Sequence, residues 1–319
     1  MTDAHAAWRL FTLTWIPVAA LALALALGLA LTEFSIKPQS AMFPACSALL
    51  FAAICYGSVW LSGRYQRVSF VFGSATQLVV ITLLITPLTY IAAAASMPLQ
   101  DANLAALDRM LGLDWRGYVA FVNRSPQLSA FFALGYGMIS WPIFSIPVLL
   151  AMQRHFGRLQ QFTLAFLLTL IATTVISTLV PALGAYHQLG IRPEDYSHFP
   201  PLGYLDQLRD FPLVRDGSLR DLDLMRLVGI ITFPSFHSAA CVLYIWVFWP
   251  IWWMRPAAVI VESAMLLATP VGGGHYFVDV FAGIGIAALA IAAARSISER
   301  VTRGVAPAMV LPEAAVAAE

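Results

Sequence analysis

Long apolar stretches alternate with short polar ones along the chain. Eight of them reach the length of about 20 residues that a helix needs to cross a hydrocarbon core. They cover 10–32, 41–62, 70–95, 129–151, 161–184, 228–254, 256–272 and 276–297. The first follows Arg9, as a secretory leader would, but Leu10 to Thr32 outruns the roughly 7–15 apolar residues of a leader core, so it reads as a retained helix. Two connections are long, 96–128 and 185–227. In the first, Asp101 is placed to cap a short helix with Leu104, Leu107 and Leu111 on one face, and Gly112 to end it. Trp115, Val119 and Val122 continue an apolar stripe, which predicts one or two helices lying at the membrane interface. The 43 residues of 185–227 exceed the usual length of a structureless loop, which predicts a segment folded over the mouth of a bundle.

Composition narrows the class. The 319 residues are 60% hydrophobic and 11% charged, against roughly 45–50% and 25% in soluble domains. A water-soluble enzyme, a disordered chain and a disulfide scaffold are excluded. The net charge of +1 argues for no nucleic-acid partner. Cys46, Cys55 and Cys241 lie inside apolar runs without metal-ligand spacing and read as small hydrophobes. The fold class is all-α, a polytopic bundle of about eight transmembrane helices embedded in the bilayer.

The charges then set an orientation. With the N-terminus in the cytoplasm, nine arginines face four acids on that side, a surplus of five. The other side carries nine bases against eleven acids, and only Glu262 and Asp279 remain within spans. The short connections 63–69 and 152–160, which weigh most in orientation, are basic. Both termini are therefore expected in the cytoplasm. Trp246, Trp249, Trp252 and Trp253 crowd next to Arg255 as an interfacial belt would.

Two histidine motifs fall on the external side of this scheme: Thr232-Phe233-Pro234-Ser235-Phe236-His237-Ser238 at the start of span six, and Gly272-Gly273-Gly274-His275-Tyr276-Phe277-Val278-Asp279 at the start of span eight. The charges that set this topology include neither histidine. Pro234 suits a first helical position, and the free NH groups beyond it, with the Ser235 hydroxyl, suit a phosphate. Gly272 to Gly274 allow close backbone approach to a bound group, though such a run also serves as a kink or a close helix contact. His275 and Asp279 stand four apart on one helical face. A carboxylate there can fix the ring tautomer and leave the other nitrogen as a nucleophile, while His237 can protonate a leaving oxygen. His5, His155, His187 and His198 lack such company.

The pairing of Pro-Ser-Phe-His with His-Tyr-Phe-Val-Asp resembles the type 2 phosphatidic acid phosphatase superfamily, in form closest to the branch of fungal inositol phosphorylceramide synthase and more distantly to sphingomyelin synthases. The segment Leu107 to Trp115 resembles a feature of the same inositolphosphotransferase branch. The resemblance implies a six-helix core over 70–298, two helices added in 1–69, and a cytoplasmic tail in 299–319. It also implies that His275 forms a phosphohistidine, Asp279 orients and charge-stabilises it, His237 is the general acid and Ser235 a phosphate ligand, with no metal and no cofactor. The chain departs from the family pattern at two cations: Ala185 stands where a lysine precedes Arg192-Pro193, and Thr269 where an arginine precedes the nucleophile. Arg192, then Arg109 and Arg226, are the candidate replacements, with Gly274 as a backbone phosphate contact. The expected function is a lipid phosphate phosphatase or phospho-headgroup transferase in the inner (plasma) membrane, acting on the periplasmic leaflet on a lipid phosphate or phospholipid. A polytopic lipid or small-molecule transporter with a proton relay through Glu262, Asp279 and the histidines, and a catalytically lapsed scaffold, are the alternatives.

Overall fold

The computed structural model describes residues 3–60, 65–192, 195, 198–199 and 201–303. The tail from 304 onward and Pro193 lie outside these residues. Three long helices come first: α1 (Asp3–Leu31), α2 (Pro38–Trp60) and α3 (Gln66–Ala93). A short amphipathic pair follows, α4 (Asp101–Met110) and α5 (Trp115–Val122). Next come α6 (Pro126–Gly137), α7 (Trp141–Met152) and α8 (Phe156–Leu179). The long connection holds α9 (Ala185–Gln188) and α10 (Leu202–Asp216). Last are α11 (Phe236–Phe248), α12 (Arg255–Gly272) and α13 (Phe277–Arg303).

Six of these helices are long and apolar enough to cross a membrane, seven if the bent pair α6–α7 is one span. The chain is thus a multi-pass helical membrane bundle. Two of the eight expected spans differ in kind. Span four is broken, with α6 and α7 meeting at 57°. The break falls before Pro142, whose ring would clash with the carbonyl four residues back and which has no NH to continue the ladder. Span six contains only the 13-residue α11, about 20 Å of helix where a core of about 30 Å must be crossed. Residues 228–235 reach it without helix. Pro250 follows it, and a turn of 3-10 helix, Trp252–Met254, leads to α12.

The core is built from α3, α8, α11, α12 and α13, with α1 and α7 packed against it and α2 chiefly on α3. Phe70, Ile81, Phe162, Phe166, Tyr244 and Phe248 fill its centre. At one end, which carries residues 232–235 and 272–276, a second apolar cluster gathers Leu104, Trp115, Val119, Tyr186, Tyr204 and Tyr276. The helices of 97–127 therefore seal that end of the bundle. Their faces differ from expectation: Leu107 and Leu111 are exposed, and the buried stripe of α4 is Asp101, Leu104, Ala105 and Asp108. Gln100, not Asp101, takes the cap position of α4, and Gly112 ends that helix at a positive φ. A two-residue parallel ladder, β1 (Ser35–Ile36) with β2 (Asp221–Leu222), ties the α1–α2 connection to the long one.

Candidate functional site

His275 sits in a four-residue gap between α12 and α13, with 3% of its surface exposed. Its Nδ1 lies 2.7 Å from the Thr232 carbonyl and 3.5 Å from Asp279 Oδ2. A carbonyl only accepts, so the neutral ring carries its proton on Nδ1 and keeps the Nε2 lone pair free. The Thr232 hydroxyl is itself pinned, donating to the Ala182 carbonyl at 2.8 Å and accepting from Gln207 Nε2. Asp279 is fully buried, and its Oδ2 accepts from Tyr276 N at 2.8 Å. Sequence spacing pointed to the carboxylate as the orienting group. The structure puts a backbone carbonyl closer and the carboxylate behind it, and no side-chain pattern announces a carbonyl.

His237 lies in the first turn of α11. Its ring centroid is 6.4 Å from that of His275. The two motifs, 38 residues apart in sequence, thus bring their rings together at one point of the bundle. Tyr136 of α6 stacks on His237, with centroids 4.1 Å apart and planes within 13°. The glycine run makes room for that ring. A Cβ on Gly272 would lie 2.4 Å from Tyr136 Cγ, and one on Gly273 would lie 2.8 Å from the Tyr136 hydroxyl and 2.7 Å from His275 Nε2. The hydroxyl and the free nitrogen thus flank one point. Gly274 turns at φ +67° and its carbonyl accepts from Ala185 N at 2.7 Å. Two of the three glycines serve a close helix contact, and Tyr136 is a site residue that nothing in its sequence context marks.

Ser235 is buried and is the N-cap of α11, accepting from Ser238 N at 3.4 Å. Pro234 stands one position before that cap, after a cis peptide bond, rather than at the first helical position. Ser235 N donates to the Asp279 carbonyl at 3.1 Å. A Cβ on Gly283 would lie 2.2 Å from the Ser235 carbonyl oxygen, so α13 and α11 touch through backbone at the level of both motifs.

The three candidate arginines each have other neighbours. Arg192 is exposed and pairs with Asp195 at 3.3 Å. Arg226 is 86% exposed and sits 3.8 Å from Asp223. Arg109 lines a small cavity with Asp108, Trp115, Arg116 and Tyr276. Among the described residues no hydrogen bond or ion pair joins any of the three to either motif. No cluster of three or more His, Cys, Asp or Glu suited to a metal ion occurs among the described residues.

α4 and α5 hold the backbone around His275. Trp115 Nε1 donates to the His275 carbonyl at 2.9 Å. Asp108 accepts from Phe277 N and Val278 N, both at 2.9 Å. Asp101 accepts from Leu183 N, Gly184 N and the Tyr276 hydroxyl. Burial pushes the Asp108 carboxyl above its ordinary range, and the two NH groups offset part of that rise. Glu262, on α12, is fully buried beside Cys241 and Tyr244, and neither carboxyl oxygen finds a hydrogen-bond partner among the described residues.

Neither the curated proteins nor the solved structures contain a match to the chain. A family model does match: that of the PAP2 superfamily, over residues 102–293. The match begins in α4, ends in α13 and takes in both histidine motifs together with the helices that bracket them. With three-fifths of its length under that model, the chain belongs to the PAP2 superfamily.

Proposed function

We propose that the protein is a lipid phosphate phosphatase or phospho-headgroup transferase working without a metal, at the external leaflet, through a phosphohistidine on His275. The observation that carries the reading is the neighbouring pair of imidazoles, one with its Nε2 free by virtue of the Thr232 carbonyl. In the first step His275 Nε2 attacks phosphorus and the P–O bond to the lipid leaving group breaks. The departing oxygen takes the proton of the His237 imidazolium. In the second, water or an alcohol attacks phosphorus, gives its proton back to His237, and the N–P bond breaks. Asp279, 3.5 Å behind Nδ1, offsets the positive charge that grows on the His275 ring.

Phosphate charge would be met by the first-turn NH groups of α11 and by the Tyr136 hydroxyl beside Nε2. Among the described residues no bond joins Arg192, Arg109 or Arg226 to either motif, so these neutral donors are assigned the part that cations would otherwise take, a point that also supports the lapsed-scaffold reading. The motif form Pro-Ser-Phe-His with His-Tyr-Phe-Val-Asp supports a headgroup transferase of the inositolphosphotransferase kind over a simple phosphatase.

The test is to purify the protein in detergent and supply labelled phosphatidate, undecaprenyl pyrophosphate, or phosphatidylinositol with diacylglycerol or ceramide. Released phosphate and transferred headgroup are followed together in metal-chelated buffer. Turnover of one of these substrates is expected. Silence on all of them favours the scaffold, and turnover only after a divalent metal is added back overturns the metal-free mechanism.

A further inference from the structure

α4 is short, amphipathic and outside the bundle, yet its buried stripe begins and ends in a carboxylate. Asp101 and Asp108 are seven residues apart, two helical turns, so they share a face with Leu104 and Ala105. Asp101 is 4% exposed and Asp108 is 3%. Between them they accept from Leu183 N, Gly184 N, the Tyr276 hydroxyl, Phe277 N and Val278 N. Those donors lie on the two chain segments that run past His275, and the segments are joined to each other by Ala185 N donating to the Gly274 carbonyl. The first NH groups of a helix have no partner inside it. Here Asp108 takes two of them, at the start of α13, two residues beyond His275.

Resting on the phosphohistidine reading, we propose that Asp108 is a positioning residue for His275. Its carboxylate grips the first turn of α13 and so sets where Nε2 stands relative to His237. Asp101 braces the same stretch through Tyr276. The grip has a second consequence. A carboxylate of the protein already fills the anion-attracting start of α13, so a substrate phosphate is left the side facing α11 and His237. Asp108 touches no reacting atom. Its effect passes through backbone, and a displacement of about 1 Å at a nucleophile is worth about a hundredfold in rate.

Asp108→Asn keeps the size, removes the charge and turns one acceptor into a donor that opposes an NH. The expected result is a fall in kcat of about a hundredfold, with KM within about threefold because the lipid site is untouched. The rate of His275 phosphorylation should drop with kcat. Ser125→Ala, which removes the half-buried cap of α6, should leave kcat unchanged. An activity-independent readout is the nitrogen-15 histidine spectrum, assigned with His275→Ala. His275 should shift or broaden in Asp108→Asn while His155 and His187 stay put. Unchanged kcat, or an unchanged His275 signal, overturns the proposal. If Asp108→Asn does not fold, amide exchange in the wild type decides. Protection of the Phe277 and Val278 amides is expected, and exchange at the rate of a free helix start overturns it. A wild type that turns over no lipid phosphate but shows the His275 shift in Asp108→Asn refutes the functional reading alone and leaves the grip standing.

Discussion

A ring whose Nδ1 faces a carbonyl keeps one neutral tautomer whatever stands behind it, so the free Nε2 of His275 is a consequence of where Thr232 lies. Much of the histidine pair was legible in the sequence, because His275 and Asp279 fall four apart and both motifs share one side of the charge-derived topology. Thr232 was not legible in its role: a main-chain oxygen has no residue code. Tyr136 was hidden for another reason, since a stacking partner 101 positions from His237 leaves no local period to read. Glu262 marks the limit of the residue scale. Burying an unpaired polar group costs about 1–3 kcal/mol, and an apolar side chain of similar length recovers it. Glu262→Met should therefore raise stability by about 1–3 kcal/mol, read by thermal unfolding in detergent. A lowered melting temperature would show that the carboxyl has a partner that this packing lacks.

At the scale of elements, the run of apolar residues over 228–254 misled because its length counts residues, not helix. Pro234 and Pro250 bound the helix on either side, and the apolar residues before it, such as Ile230, pack as extended chain into the cluster with Tyr90 and Phe211. What this short helix does is bring His237 to α13, and Gly283 permits the approach. The methyl added in Gly283→Ala would stand 2.2 Å from both the Ser235 carbonyl oxygen and the Ser238 hydroxyl, so α11 must move away and the two imidazoles should separate. Activity should fall by about a hundredfold while the helix content by circular dichroism holds. Full activity would show that the contact is not limiting.

The long connection is likewise anchored by chemistry the sequence shows only as scattered charge. Asp210 of α10 accepts from the Tyr90 hydroxyl at 2.7 Å and from Arg209 Nε at 2.6 Å. Burial raises its carboxyl, but the bonds from Arg209 and Tyr90 outweigh that and hold it below the ordinary 3.8. A carboxyl depressed on folding stabilises at pH above its unfolded value, and that contribution is lost as pH falls through the lower folded value. Stability should therefore drop on acidification below about pH 4, and Asp210→Asn should flatten this limb. An unchanged acid limb in the variant would remove the network from the account.

For the whole molecule, the class of fold was open to reading from composition alone, since 11% charge in 319 residues leaves little but a membrane bundle. The number of spans was not, because bends and breaks depend on packing partners that periodicity does not carry, as the 57° between α6 and α7 shows. Orientation rests on the arginine surplus. Single cysteines placed at Ser218 and at Gln153, in a chain stripped of Cys46, Cys55 and Cys241, should differ in labelling by a membrane-impermeant maleimide on intact cells. Label at 218 and none at 153 is expected, and the reverse pattern would invert the molecule and move the histidine pair to the cytoplasmic leaflet.

The central claim is a covalent bond between His275 Nε2 and substrate phosphorus, and the direct measurement is to trap it. Protein mixed with a phosphorus-labelled lipid substrate that it turns over, then quenched in alkali, should carry label that survives base, leaves in acid and maps by peptide sequencing to His275. His275→Ala should carry none, while His237→Ala should acquire the label more slowly because the leaving oxygen has lost its proton donor. Undiminished turnover in His275→Ala, or label on any other residue, would contradict the account.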